Sequence, residues 1–161
     1  MSSAKYNAGQ KFSKNLLFNL TFSVACLLWL TGIVSPVLIT NSQLSNYIIP
    51  VINYPYSLVC HQNADKTLHI HNASLLVCSR CTGIYMGAFI SSIFLLMISR
   101  FTFNKKYFLW IAPLPVLLDI IFINSGLYTY NKPVAFGTGM FSGSILFIYI
   151  SNEIKNFLIN R

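Results

Sequence analysis

Long apolar runs separated by short polar breaks dominate this chain. A helix needs about 20 mostly apolar residues to cross the hydrocarbon core of a bilayer. Four stretches reach that length, at about 15–40, 82–99, 107–124 and 134–151. Each is apolar around its whole circumference, whereas a helix of a soluble core carries a polar stripe. The pattern predicts an all-α integral membrane protein with four transmembrane helices. A tail at 1–14 precedes a single membrane domain at 15–161, with one long outer loop at about 41–81. The first stretch does not read as a cleaved signal, because its apolar run is too long and no small-x-small site follows. Cys26, in the run Ser23-Val24-Ala25-Cys26, reads as a small buried hydrophobe.

The outer loop has a pattern of its own. Tyr47-Ile48-Ile49-Pro50 and Tyr54-Pro55-Tyr56 suggest an interfacial stretch, since Tyr favours the headgroup level. Thr67-Leu68-His69-Ile70-His71 alternates as a strand does. Asn72-Ala73-Ser74 predicts a turn and Leu75-Leu76-Val77 a returning strand, so a short β-hairpin is expected from Lys66 to Val77. His69 and His71 share one face of such a strand and read as exposed side chains, with an i,i+2 metal pair as the alternative. Asn72-Ala73-Ser74 also matches a glycosylation acceptor.

Composition agrees with a membrane location. Of 161 residues, 55% are hydrophobic and 9% charged, against roughly a quarter charged in soluble domains. That balance excludes an ordinary soluble enzyme and also a disordered chain. The net charge of +8 is a topology signal, because cytoplasmic loops collect Lys and Arg. Lys5, Lys11, Lys14, Arg100, Lys105, Lys106, Lys155 and Arg161 fall on one side of the spans, and only Lys66, Arg80 and Lys132 on the other. Both termini are therefore expected in the cytoplasm. The expected partner is the lipid bilayer, with anionic lipid at the basic rim, and not nucleic acid.

The candidate chemistry lies in the outer loop, which holds three of the four cysteines and all three histidines. The hairpin would bring Cys60-His61 close to Cys78 and Cys81. The latter two are three positions apart and share one face of a helical turn. The amino end of the second span and Arg80 both favour thiolate there. Three readings follow. In the first, Cys60, His61, Cys78 and Cys81 bind a metal tetrahedrally, most simply zinc, with iron or copper suited to the same donors. Gln62, Arg80, Tyr85 and Asp119 are then expected to surround and hold those ligands. In the second, Cys78 and Cys81 are a redox pair with Cys60 resolving, in outline similar to quinone-linked disulfide-forming enzymes and vitamin K epoxide reductases. In the third, the cysteines merely staple the loop of a transport or assembly subunit, although an odd number of outer cysteines leaves one unpaired.

The run Cys60-His61-Gln62, Asp65-Lys66 and Val77-Cys78-Ser79-Arg80-Cys81-Thr82-Gly83-Ile84-Tyr85-Met86-Gly87 resembles the predicted membrane protein family known as domain of unknown function 2085. The resemblance extends to Pro115, Asp119, Asn131 and Thr138-Gly139 and covers most of the chain from about residue 55. Members of that family tend to carry an Arg shortly before the Thr-Gly, where this chain has Val134, Ala135 and Phe136. The resemblance implies the four-span fold, the importance of the Cys-bearing motif and a bacterial inner membrane. It implies no activity.

Within the spans, Asp119 is the one acidic residue and needs a partner or a task. With the third span running outward, it can approach Arg80. Gly83 and Gly87 on the second span, and Gly137, Gly139 and Gly143 on the fourth, have the small-residue spacing that lets helices approach closely. Pro113 and Pro115 are expected to kink or loosen the third span.

Overall fold

A computed structural model of the chain describes residues 2–39, 42–70, 73–97 and 107–159, with side chains for 16–39, 45–70, 73–97 and 107–157. Helix α1 (Ser2–Leu38) leads to α2 (Ser42–Val59), then a 3-10 turn at Ala64–Lys66 and strands β1 (Thr67–Ile70) and β2 (Ala73–Cys78). Helix α3 (Ser79–Met97) follows directly on β2, then α4 (Tyr107–Ile111), α5 (Leu114–Asn124) and α6 (Lys132–Ile159).

Four helical segments are long and apolar enough to cross a membrane: Leu16–Leu38, Ser79–Met97, Tyr107–Asn124 and Lys132–Phe157. Helix α1 already starts at Ser2, so residues 2–14 of the expected tail are helical and continuous with the span. The third span is broken where expected. Pro113 and Pro115 lack the amide hydrogens that would join α4 to α5, and a turn separates the two pieces.

The segment read as an outer loop differs most from its sequence reading. Residues 42–59 form a helix, although Pro50 and Pro55 lie inside it. Both prolines are exposed, so the hydrogen bonds they remove lie on the surface and not in the packed face. Helix α2 has no charged residue. Ile49, Ile52 and Tyr56 face the protein, while Tyr47, Val51, Tyr54 and Leu58 form an exposed apolar stripe on the other side. The hairpin is present and antiparallel, with Thr67 opposite Cys78 and Ile70 opposite Ala73. Ala73 and Ser74 are strand and not turn, and His71 and Asn72 lie outside the described residues. Leu75, Leu76 and Val77 are all buried, because β2 is covered by α1 and by α2.

Helices α3 and α6 run parallel and touch backbone to backbone. A Cβ on Gly83 or Gly87 would lie 2.1 Å from the carbonyl oxygen of Phe136 or Met140. A Cβ on Gly139 or Gly143 would lie 2.3 or 2.2 Å from the carbonyl oxygen of Arg80 or Ile84. Only a hydrogen fits at these four positions, which permits the close Cα–H to carbonyl contact that joins helices in lipid. The contact is two-fold pseudo-symmetric. Thr82-Gly83-Ile84-Tyr85-Met86-Gly87-Ala88 on α3 matches Thr138-Gly139-Met140-Phe141-Ser142-Gly143-Ser144 on α6, and each residue meets the counterpart of the residue that meets it. Helix α1 packs on α3 as α5 packs on α6. The bundle is thus two out-and-back helix pairs joined at a glycine seam. The first pair carries α2 and the hairpin in its long connection; the second is linked by a short loop at 125–131.

Candidate functional site

The sulfur atoms of Cys60, Cys78 and Cys81 lie within 4.8 Å of one another, and none is joined in a disulfide. Three segments bring them together. Cys60 follows the last turn of α2, and its amide hydrogen-bonds to the Tyr56 carbonyl at 3.0 Å. Cys78 ends β2 and Cys81 lies in the first turn of α3. The short hairpin closes the distance along the chain between Cys60 and Cys78.

The Cys60 loop is held by a local device. Gln62 has φ 48°, the left-handed region that non-glycine residues enter only under constraint. This turn aims the Gln62 amide back at Cys60 Sγ, 3.5 Å away, and the Cys78 amide donates to the same sulfur at 3.3 Å. The Gln62 side chain offsets the strain: Nε2 donates to the Leu76 carbonyl at 2.8 Å and to Asn53 Oδ1 at 2.6 Å. One amide therefore ties the Cys60 turn to β2 and to α2. Sequence reasoning placed Gln62 beside the ligands; the structure makes it a strut, and Asn53 its unforeseen partner.

Cys78 stands just before the first residue of α3, where the amides of a helix start are unsatisfied. A hydrogen bond from the Cys81 thiol, backbone N–H groups of Cys81 and Arg80, and the Cys60 thiol lower the Cys78 thiol to about 5, against the opposing effect of burial. A thiolate in the position of a helix cap is the physical reading of that shift. Thr82 Oγ1 donates to the Cys78 carbonyl at 3.0 Å and fixes the strand-to-helix corner.

His61 is not brought into the sulfur group, and its side chain is exposed. The fourth protein donor expected from the sequence is thus not at the site. The next residue, Gln62, turns its backbone amide to the Cys60 sulfur. His69 is also exposed and stands 3.3 Å from the Ala64 carbonyl. Cys26 is half-buried in the wall of a different, apolar cavity.

Asp119 is buried, and its two oxygens accept hydrogen bonds from Arg80 Nη2 and the Tyr128 hydroxyl. The approach of Asp119 to Arg80 is as expected, and Tyr128 is an addition. This network braces α3 against α5; no contact of Asp119 with the sulfurs is seen among the described residues. Tyr85 lies one turn inward from Cys81 and packs against the cluster, its ring 5.8 Å from that of Trp29. Trp29 in turn packs on Tyr56 at 4.7 Å, and Tyr56 donates to the Trp29 carbonyl at 2.8 Å. Gly32 makes room for that hydroxyl: a Cβ there would lie 2.0 Å from it.

The chain is 33% identical over 98 residues to an uncharacterized protein of Methanocaldococcus jannaschii, an alignment covering 59% of this chain and 63% of that protein. It is 26% identical over 106 residues to an uncharacterized protein of Methanothermobacter thermautotrophicus, covering 65% of this chain and 95% of the other. Both relatives are archaeal. The chain thus spans less than two thirds of the first relative's length. No solved structure matches it. The family model described as predicted membrane protein matches residues 60–149, from the first site cysteine to the middle of α6. With more than half of its length matched, this chain belongs to the predicted membrane protein family called domain of unknown function 2085.

Proposed function

We propose that this protein holds a soft metal ion through the thiolates of Cys60, Cys78 and Cys81 at the extracytoplasmic surface of a prokaryotic cytoplasmic membrane. The observation that carries the reading is the convergence of three sulfurs within 4.8 Å. Thiolates bound to zinc at about 2.3 Å stand somewhat under 4 Å apart, so a small contraction of the group suffices. The donor chemistry fits: the amides of Gln62 and Cys78 point at Cys60 Sγ, and the α3 amino end favours Cys78 as thiolate. All-sulfur donors suit zinc or monovalent copper. Three protein ligands leave a fourth position for water or for a second molecule, which favours ligand exchange over a purely structural role. The skew of Lys and Arg to one side of the spans supports cytoplasmic termini.

The test is elemental analysis of the full chain purified in mild detergent, paired with thiol counting. One metal per chain with thiols protected until chelation is expected. The ratio should survive His61→Ala and vanish in Cys60→Ser, Cys78→Ser or Cys81→Ser. A metal-free protein with a reducible Cys78–Cys81 bond sinks the metal reading.

That second result belongs to a membrane thiol oxidoreductase, which the lowered Cys78 thiol favours. Cys78 and Cys81 would close a disulfide and yield two electrons and two protons, which convert a quinone to its quinol. Cys60 would be the resolving thiol. One turn inward from Cys81, an apolar cavity of about 280 Å³ lined by Phe22, Trp29, Tyr85 and Phe147 has the room and character for such a carrier.

A further inference from the structure

At the thiol-bearing end of the bundle, the basic residues Lys66, Arg80 and Lys132 converge although they come from three different segments. Lys66 Nζ stands 5.5 Å above the Tyr130 ring. Lys132 Nζ donates to the Thr67 carbonyl at 2.7 Å, one residue along from Lys66. Ser79 Oγ donates to the Lys66 carbonyl at 2.9 Å, which fixes the Lys66 turn to the start of α3 beside Arg80. A cavity of about 70 Å³ lies beside the first two, lined by Lys66, Arg80, Ile120, Ile123, Asn124 and Tyr130.

The cavity lining carries two basic side chains, Lys66 and Arg80, and no carboxylate. The chain has three acidic residues. Of these, Asp119 already accepts from Arg80 and Tyr128, Asp65 is exposed on the 3-10 turn, and Glu153 lies near the far end of α6. Arg80 uses Nη2 on Asp119, while its Nε is buried with no partner among the described residues. A buried N–H without an acceptor is unfavourable, so an incoming acceptor is favoured there. The parallel helices α3 and α6 both begin here, and their amino ends add positive potential. Two side chains with neutral hydrogen-bonding groups, Asn124 and Tyr130, complete the wall.

We propose that this cavity binds a phosphate group, with Lys66 and the unspent Arg80 donors as charged contacts and Asn124 and Tyr130 as neutral ones. The size suits one tetrahedral oxyanion. Ile120 and Ile123 form the remaining wall, and the exposed Leu117, Leu118 and Ile121 continue along α5 into the apolar zone. A phosphate carrying acyl chains therefore fits better than a free one. None of the three thiols lines the cavity.

The experiment uses the full chain in dodecyl maltoside. Dioleoyl phosphatidic acid, dioleoyl phosphatidylcholine and inorganic phosphate are titrated separately, with retention read by native mass spectrometry and melting temperature. One phosphatidic acid per chain should bind more tightly than phosphatidylcholine. Lys66→Gln should weaken it about fivefold, the loss expected for one surface cation. Lys66→Gln with Tyr130→Phe should weaken it further, and Lys155→Gln at the opposite end should leave it unchanged. Lys66 is exposed, so its substitution leaves the fold intact. If inorganic phosphate raises the melting temperature with the same dependence on Lys66, the site stands and its ligand is a soluble phosphate. If neither phosphate source responds to Lys66→Gln, or Lys155→Gln matters as much, the proposal is overturned.

Discussion

Replacing Gln62 tests whether the Cys60 turn is a built device. Its side chain makes bonds of 2.6 and 2.8 Å to Asn53 and Leu76. At about 1 kcal/mol for each net hydrogen bond, plus a part of the penalty for leaving partners unsatisfied, Gln62→Ala should cost about 2–4 kcal/mol. The Ala variant keeps the left-handed backbone at φ 48°, which costs an L residue roughly 1–2 kcal/mol. Gln62→Gly loses the same bonds but relieves that strain, so it should be less damaging than Ala by about 1 kcal/mol. If the turn positions the Cys60 sulfur, the loss reaches the metal. About 2 kcal/mol corresponds to roughly thirtyfold in affinity, within the 10–100-fold range for residues that orient ligands. The assay is competition against a chromophoric chelator in detergent, with melting followed on the same samples. An Ala variant within twofold of wild type in affinity, or a Gly variant worse than Ala, would refute the reasoning.

The glycine seam should be asymmetric in its tolerance. Gly139→Ala drives a Cβ against the Arg80 carbonyl and should cost about 1–3 kcal/mol, whereas Gly137→Ala meets open space and should be neutral or stabilising by up to about 1 kcal/mol; melting in one detergent compares them, and equal losses would count against the seam. Asp119→Asn should cost about 3–5 kcal/mol by leaving Arg80 unpaired, and Arg80→Met with Asp119→Leu should recover most of it; a double variant worse than the single one contradicts this. In the metal-free chain, alkylation of Cys78 should be nearly flat from pH 9 to 6 and fall about tenfold by pH 4, because a thiol lowered to about 5 stays ionised until the pH passes through that value. Peptide mapping by mass spectrometry measures it, and a rise in rate between pH 7 and 9 would show an ordinary thiol.

Much of this architecture is written in local pattern. Four apolar runs declare four spans because a lipid-facing helix has no polar stripe to hide, and Pro113-Leu114-Pro115 removes amides wherever it is placed. The meeting of Cys60 with Cys78 and Cys81 was legible too, since a hairpin between them fixes the separation whatever its details. Helix α2 was not legible: Pro50 and Pro55 argue against a helix by propensity, and only packing of Ile49, Ile52 and Tyr56 on α1 and β2 overrides it. His61 failed for a similar reason. Adjacency to Cys60 says nothing of direction, and the left-handed Gln62 turn beside it has no sequence signature, because glycine or asparagine would be the usual residue there.

One further signal stood in the sequence unread. Thr82-Gly83-x3-Gly87 and Thr138-Gly139-x3-Gly143 are copies of one seam motif, and their match is what makes α3 and α6 pack face to face along their axes. Pseudo-symmetry then sharpens the meaning of the cysteines. The counterparts of Cys78 and Cys81 on α6 are Val134 and Gly137, and Val134 borders an apolar cavity of about 450 Å³ beside Asp119 and Tyr128. A scaffold that needed cysteines at the head of a seam helix for stability would need them at both heads. Here one head has Cys78 and Cys81 beside it, and the other begins at Lys132 in a helix with no cysteine. The seam contact thus recurs on α6 without cysteines at the matching positions.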